Sequence, residues 1–508
     1  MLEEEYDVII IGTGAGGGTL AHHLAPSGKR ILLLERGGYL PREKQNWSSK
    51  EVFLKGRYTA NEPWIDDEGN PFHPGIHYYV GGNTKLYGAA LLRMREQDFG
   101  EVRHKDGISP AWPIEYAEMA PYYNQAEALY HVHGERGSDP TEAFEKAPYP
   151  QPPLKHEPQI QKLFDSLKKT GQNPFPLPVG LLLDESNREK SPCIKCSTCD
   201  GFPCLVDGKA DAQVVCVDPA LKKHSNLTLL THSYVERLET SPSGKEITKV
   251  VVQRNGQTHS FKGKIVVVSC GAINSAALLL RSANHQHPKG LANSSDVVGR
   301  FYMCHNNSAL LATSLESNPT EFQKTLGIND FYFGADDWEF PLGHIQMLGK
   351  SDKEMLKGDA PFFTPSFALD QIAKHSIDFW MTTEDLPNPG NRVVWTPDGN
   401  VQLFYTPNNR ESHHHLGKKL KQILHRAGYH NIYLSKVIPL AGTAHQNGTI
   451  RFGKDPKTSA LDLYCKAHDL ENLYVVDGSF FVSSSAVNPS LTIIANALRV
   501  GDHLLTRI

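Results

Sequence analysis

The 508-residue chain contains no apolar run of about 18 residues, so no membrane-spanning helix is expected. It has no basic excess: 52 Lys plus Arg stand against 56 Asp plus Glu, a formal charge of −4, which argues against a general nucleic-acid binder. Its opening, Met1 to Tyr6, is acidic and runs straight into an apolar strand. A secretory leader starts basic and carries a longer apolar stretch, so a cytoplasmic location is expected. No internal repeat is visible. Hydrophobic residues reach 39% and charged residues 21%, which excludes a disordered chain. At roughly 150 residues per domain the length allows about three units, or one large α/β body.

What is present begins at once. Asp7-Val-Ile-Ile-Ile11 is a short β-branched run suited to a buried parallel strand. Gly12-x-Gly14-x-x-Gly17 follows it and opens a helical stretch, and a second apolar run, Ile31 to Leu34, ends in Glu35. Gly12 permits a tight turn, Gly14 has no side chain to obstruct a pyrophosphate, and Gly17 lets the helix approach the strand. The helix start offers free N–H groups and the positive end of its dipole. Glu35, 18 residues past Gly17, is placed to bind ribose hydroxyls. Strand, helix, second strand and acid together predict a dinucleotide site. The motif alone does not choose between NAD and FAD; a long chain with a second glycine-rich loop, Val80-Gly81-Gly82-Asn83, suits FAD.

Further along, two textures alternate. Ile247–Arg254 and His259–Lys264 read as a hairpin, and Lys264–Ser269 as a buried strand before a helix. From about 310 to 440, strand-like pieces such as Gly343–Leu348 and Asn391–Trp395 lie between turn signals such as Pro397-Asp-Gly-Asn400, which predicts an antiparallel sheet. Glu411–Ala427 reads as one amphipathic helix, and the C-terminal part returns to strand-then-helix. The expected architecture is therefore α/β, with two interleaved domains.

Several segments in order resemble the glucose–methanol–choline (GMC) oxidoreductase family: the fingerprint with Glu35-Arg-Gly-Gly38, Val80–Gly88, Asn226–Leu230 with Tyr234–Leu238, Cys270–Ser275, Val298-Gly-Arg300, and the block His445–Thr449, Asp477–Ser479 and Asn488–Thr492. The resemblance implies a Rossmann-like FAD-binding domain (1–55, 76–110, 205–310 and 455–508) interleaved with an α+β substrate domain on an antiparallel sheet (56–75, 111–204 and 311–454). It assigns Gly12, Gly14, Gly17, Glu35, Gly81, Gly82, Asn83, Val235, Ala272, Asp477, Gly478, Pro489 and Ser490 to FAD. It assigns catalysis to His445 and Asn488, a pair similar to that of pyranose oxidase and cholesterol oxidase. A neutral imidazole can take the hydroxyl proton of an alcohol whose carbinol hydride passes to flavin N5, and an amide can hold the same oxygen. The resemblance thus implies oxidation of an alcohol, favouring a sugar, glycoside or cyclitol, with oxygen or an external acceptor taking the electrons. A lyase using the same histidine is the alternative. Residues 83–87 hold no histidine, so non-covalent FAD is expected.

Other features stay open. Lys85 can serve a phosphate or reduced flavin, or be a solvated lysine. Cys193, Cys196, Cys199 and Cys204 stand close in sequence; they read as a cluster site, as disulfides, or as free thiols in a tight loop. The third reading, with no metal and with the loop over the active-site entrance, is the expectation. His344 and Gln346 share a strand face that either meets substrate or is ordinary sheet. His413–His415 read as a solvated helix start, and Trp112 with Tyr122-Tyr123 as packing.

Overall fold

The computed structural model describes residues 5–361, 363–442 and 444–508. Among them, no helix is long and apolar enough to cross a membrane. Strand Glu5–Ile11 is the centre of a parallel sheet ordered Leu227–Leu230, Ile31–Leu34, Glu5–Ile11, Gln257–Val268, Leu473–Val475. Val8 to Ile10 and Ile31 to Leu33 are wholly buried, as strands covered on both faces must be. Helices Ala15–Leu24 and Ser490–Leu505 pack together on one side, and helix Tyr116–Leu129 packs on the latter.

The hairpin's second arm and the buried strand, read separately from the sequence, are one continuous strand, Gln257–Val268. Its first half pairs antiparallel with Ile247–Arg254, which pairs in turn with Ser233–Thr240. Its second half pairs parallel with Glu5–Ile11, Ile10 lying opposite Val267. Gly263 sits near the change, where an added Cβ would come within 2.8 Å of Ile9.

A second sheet of six antiparallel strands is ordered Asn431–Val437, Asn306–Thr313, Ser376–Thr383, His344–Met347, Leu326–Ile328, Phe175–Pro176. Its strands alternate with period two. Leu310, Ala312, Ile345, Met347, Ile377, Phe379 and Met381 face a second core shared with helices Arg410–Arg426 and Pro158–Lys169. Asn307, Ala309, Gln346 and Trp380 face the opposite way, into a large cavity. The segment around Arg392 does not join this sheet. The Pro397-Asp-Gly-Asn400 turn folds Arg392–Trp395 onto Val401–Phe404, and this hairpin extends the small ribbon Trp64–Ile65 and Pro71–Phe72. Val393, Val401, Leu403 and Trp64 thereby pack with the first core, so the expected single antiparallel sheet is two.

His413 also departs from a solvated helix start. It is buried, bonding the hydroxyls of Ser308 and Thr383 at 2.7 and 2.9 Å and so tying its helix to two strands. His415 stacks on Trp338. Trp112 is a packing residue among Phe99, Phe452, Phe480 and Phe481.

Two carboxyls are buried beside residues of the first core. Asp98 accepts from the Tyr332 hydroxyl at 2.9 Å. Asp385 accepts from the Cys304 N–H at 3.0 Å and the Tyr405 hydroxyl at 3.1 Å. Burial raises both to about 7. The folded chain therefore keeps protons that the unfolded chain releases near pH ~4, and stability contributed by these groups is lost as pH climbs through about 7. Asp385→Asn removes one such titration. Relative to the parent, its Tm is expected to rise between about pH 5 and about pH 8; a constant Tm difference across that range would contradict the assignment.

Candidate active site

A cavity of about 950 Å³ runs between the parallel sheet and the six-stranded sheet. Helices beginning at Ala15, Ala272 and Ser490 all start at its wall. The first turn of each leaves N–H groups without intrahelical partners, so three dipole ends favour negative charge in one space. The three fingerprint glycines have separate reasons. Gly12 has φ +103°, and a Cβ there would lie 2.1 Å from the Ser269 carbonyl oxygen. A Cβ on Gly17 would lie 2.0 Å from the Gly12 oxygen, so Gly17 packs helix on turn and does not line the cavity. A Cβ on Gly14 would meet nothing nearer than Gly82 Cα at 4.0 Å; that space belongs to the cavity.

Glu35 is buried, and burial raises its pKa. Its Oε2 accepts from the Thr13 N–H at 3.2 Å and the Thr13 hydroxyl at 2.5 Å, and its Oε1 from the Gly37 N–H at 2.9 Å. A carboxylate offers about four acceptor positions, so one remains on Oε1 for a hydroxyl. Thr13 Oγ1 in turn accepts from the Gly81 N–H at 3.0 Å, which hangs the second glycine loop on the first. Gly81 lies behind the wall; Gly82 and Asn83 are on it, and Asn83 Oδ1 accepts from the His77 N–H at 2.9 Å. Val235 lines the far end, its carbonyl accepting from Arg281 Nη2 at 2.7 Å.

Asp477 is also on the wall, but its acceptor positions are filled. Oδ2 takes the Gly271 N–H at 3.0 Å and the Ser275 hydroxyl; Oδ1 takes the N–H of Ser479 at 2.9 Å and its hydroxyl. What it presents to the cavity is backbone, with Gly478, Pro489 and Ser490 beside it.

At the other end, His445 and Asn488 converge although 43 residues separate them, Asn488 Nδ2 standing 3.4 Å from His445 Nε2. Burial, helped by His305 and His344, drives His445 down to about 3, so its imidazole is neutral. His305, on no sequence motif, touches its other nitrogen, Nδ1 to Nδ1, at 3.1 Å. His305 and Thr13 are what the sequence reading missed. Thr13 stood inside the fingerprint, where a hydroxyl is a signal; nothing local marks a histidine whose partner lies 140 positions away.

Lys85 serves no cavity group. It is buried and donates to Asp211 Oδ2 at 2.9 Å, because a buried ammonium needs a counter-charge. Gln346 reaches the cavity, whereas His344 is wholly buried against Asn329 and Gln346. The four clustered cysteines are free thiols. Among the described residues no group of three or more His, Cys, Asp or Glu side chains is arranged to hold a metal. Ser197, Asp200, Gly201 and Phe202 of this loop line the cavity. Asp200 clamps it there, accepting from Lys324 Nζ at 2.8 Å and from the Gly349 N–H at 2.5 Å.

Models of the GMC oxidoreductase family match residues 16–306 and 395–497. The chain is 30% identical to 6'''-hydroxyparomomycin C oxidase of Streptomyces lividus, covering 99% of this chain and 92% of the relative. It is 30% identical to paromamine 6'-oxidase of Streptomyces fradiae, over 97% and 90% of the two chains. The chain belongs to the GMC oxidoreductases. Its fold matches the crystal structure of pyridoxine 4-oxidase from Mesorbium loti with a TM-score of 0.69 at 18% identity, covering 98% of this chain and 99% of that one.

This GMC oxidoreductase is an FAD-dependent enzyme acting on CH–OH groups. The cavity fits the dinucleotide: open space over Gly14, three helix starts, one acceptor left on Glu35, and Val235 at the end away from His445. Gly14→Val fills space that only the cofactor needs. The variant is expected to keep its circular dichroism and lose most of its flavin absorbance, whereas Gly17→Ala, which strikes backbone, should cost folding itself. Full flavin content in Gly14→Val would displace the diphosphate from that position.

Proposed function

We propose that this enzyme oxidises a secondary or primary alcohol of a sugar, glycoside or cyclitol, with His445 as proton acceptor and Asn488 as the amide that holds the reacting oxygen. One observation carries the reading: a neutral imidazole and a carboxamide meet at one end of a cavity whose other end is built for a dinucleotide. The named activities of the two Streptomyces relatives support the substrate class.

His445 Nε2 takes the hydroxyl proton and becomes imidazolium, general-base chemistry worth about 10²–10⁴-fold in rate. Asn488 Nδ2 donates to the same oxygen, which fixes the carbinol carbon. Bound FAD would supply the two-electron acceptor for the hydride, with oxygen or an external acceptor as the final oxidant. Gly12, Gly14, Gly82 and Ala272 would hold the diphosphate, Glu35 a ribose, Val235 the adenine, and Pro489 and Ser490 the pyrimidine side of the flavin, where the helix start favours negative charge.

The FAD is bound without a covalent link in this reading. Residues 83–87 carry no histidine or cysteine, and the Tyr87 hydroxyl donates to the Ala210 carbonyl at 2.5 Å. Acid precipitation should leave a yellow supernatant and a colourless pellet; flavin retained by the pellet would overturn this point.

Anaerobic mixing with a panel of sugars, glycosides and cyclitols should bleach the flavin, and His445→Ala should slow that bleaching by about 10²–10⁴-fold with FAD still bound. Asn488→Ala should slow it by a smaller factor. Bleaching at the parent rate in His445→Ala removes the base. Product formed with unchanged flavin would replace the oxidation by acid–base lyase chemistry.

A further inference from the structure

His305 is 3% exposed, lies next to the cavity wall without lining it, and adopts φ +59°. A left-handed non-glycine residue of this kind persists only where its surroundings hold it. Two contacts show what it is held for. His305 Nε2 lies 3.1 Å from the Ser484 carbonyl oxygen, and His305 Nδ1 lies 3.1 Å from His445 Nδ1.

The protons in this pair can be placed from chemistry alone. A carbonyl oxygen only accepts, so His305 Nε2 carries a hydrogen. Burial lowers the pKa of His305 and keeps its ring neutral, so Nδ1 is the bare nitrogen. The nitrogen facing it, His445 Nδ1, must then be the donor; the other arrangement sets two lone pairs against each other. With one hydrogen on Nδ1, neutral His445 has its lone pair on Nε2, which is the nitrogen beside Asn488. We propose that His305 is the positioning residue that fixes His445 as its Nδ1–H tautomer and so presents a bare Nε2 to the alcohol.

The proposal rests on the reading of His445 as the base. It gives a reason for the geometry behind it. The Ser484 carbonyl is itself anchored: the N–H groups of Ser484 and Ser485 donate to Glu384 Oε1 at 3.2 and 3.0 Å, the Ser109 hydroxyl donates to the same oxygen at 2.8 Å, and His104 Nε2 stands 3.0 Å from Oε2. Burial would raise Glu384, but His104, Ser109 and the Ser485 N–H hold it below the usual carboxylate range. A fixed carboxylate thus sets a fixed carbonyl, the carbonyl sets His305, and His305 sets His445. When Nε2 takes the hydroxyl proton, the Nδ1–H bond to His305 strengthens and steadies the imidazolium; no proton needs to move along the chain. His305 touches neither substrate nor cofactor in this account.

The test reads the tautomer directly. FAD-loaded protein labelled with ¹⁵N-histidine, compared with the same preparation of His445→Ala, isolates the His445 ring nitrogens. The parent is expected to show a protonated Nδ1 and a bare Nε2. In His305→Ala the two tautomers should mix, and flavin reduction should slow by about 10–100-fold, by analogy with the loss of a partner that orients a metal-bound histidine, with the half-saturating substrate concentration little changed. In His305→Asn an amide oxygen replaces Nδ1 as acceptor, and both the parent spectrum and most of the rate should return. A parent His445 protonated on Nε2 would overturn the proposal, as would an unchanged tautomer in His305→Ala or an Asn variant no better than Ala. The parent spectrum decides even if His305→Ala fails to fold. The two readings fail separately: a His445→Ala variant that reduces flavin at the parent rate sinks the base, whereas the spectrum alone judges the tautomer.

Discussion

The carboxylate of Glu35 is the contact on which the dinucleotide half of the site depends. It closes the second parallel strand, takes both the N–H and the hydroxyl of Thr13 inside the fingerprint turn, and through Thr13 fixes Gly81 of the second glycine loop. Three segments distant in sequence are thereby set around one buried acid. A buried charge is tolerated only when its acceptor positions are filled. Three are filled by protein, and the fourth lies open on Oε1. The same carboxyl thus sets the loop geometry and leaves one acceptor position on Oε1 without a protein donor.

The other half depends on the alternation of the six-stranded sheet. One face supplies Leu310, Ile345, Phe379 and Met381 to a core under helix Arg410–Arg426; the other supplies Asn307, Gln346 and Trp380 to the cavity. A one-residue slip would exchange the two sets. Trp380 Nε1 donates to Asn307 Oδ1 at 3.1 Å across neighbouring strands, so the polar face carries its own register contact. The apolar face and the polar face therefore specify the same pairing, which is the agreement between levels that makes a fold unique.

Much of this was legible in the sequence. The parallel strands, the fingerprint helix and the C-terminal helix announce themselves through β-branched runs, glycine spacing and 3.6-residue periodicity. The pairing of His445 with Asn488 was legible only through family resemblance, because His445 sits in a loop that carries no periodic signal. Three things were not legible. The split of the antiparallel region into two sheets follows from which core receives Val393 and Leu403, a matter of tertiary contact. Lys85 reads as a partner of phosphate or reduced flavin, or as a solvated lysine, until Asp211 is seen beside it. His305 reads as one of 24 histidines until the chain folds it against His445.

Lys85 also bears on how the diphosphate is neutralised. Its ammonium is committed to Asp211, and Arg36 is committed elsewhere on the wall, pairing with Glu62 at 2.7 Å and lying over the rings of Tyr78 and Tyr234. Arg281 is likewise turned to the carbonyls of Val235 and Glu236. All three cations are thus committed to protein partners, and what the helix starts present to the cavity is backbone N–H groups. Fixed dipoles hold their geometry without ordering a long side chain, so they constrain position as well as charge. The proposed catalytic end follows the same rule: His445 contacts a second imidazole, His305, which contacts the Ser484 carbonyl, and the carboxylate of Glu384 reaches this chain through the N–H groups of Ser484 and Ser485. Placement of hydrogen atoms, more than placement of net charge, defines this site.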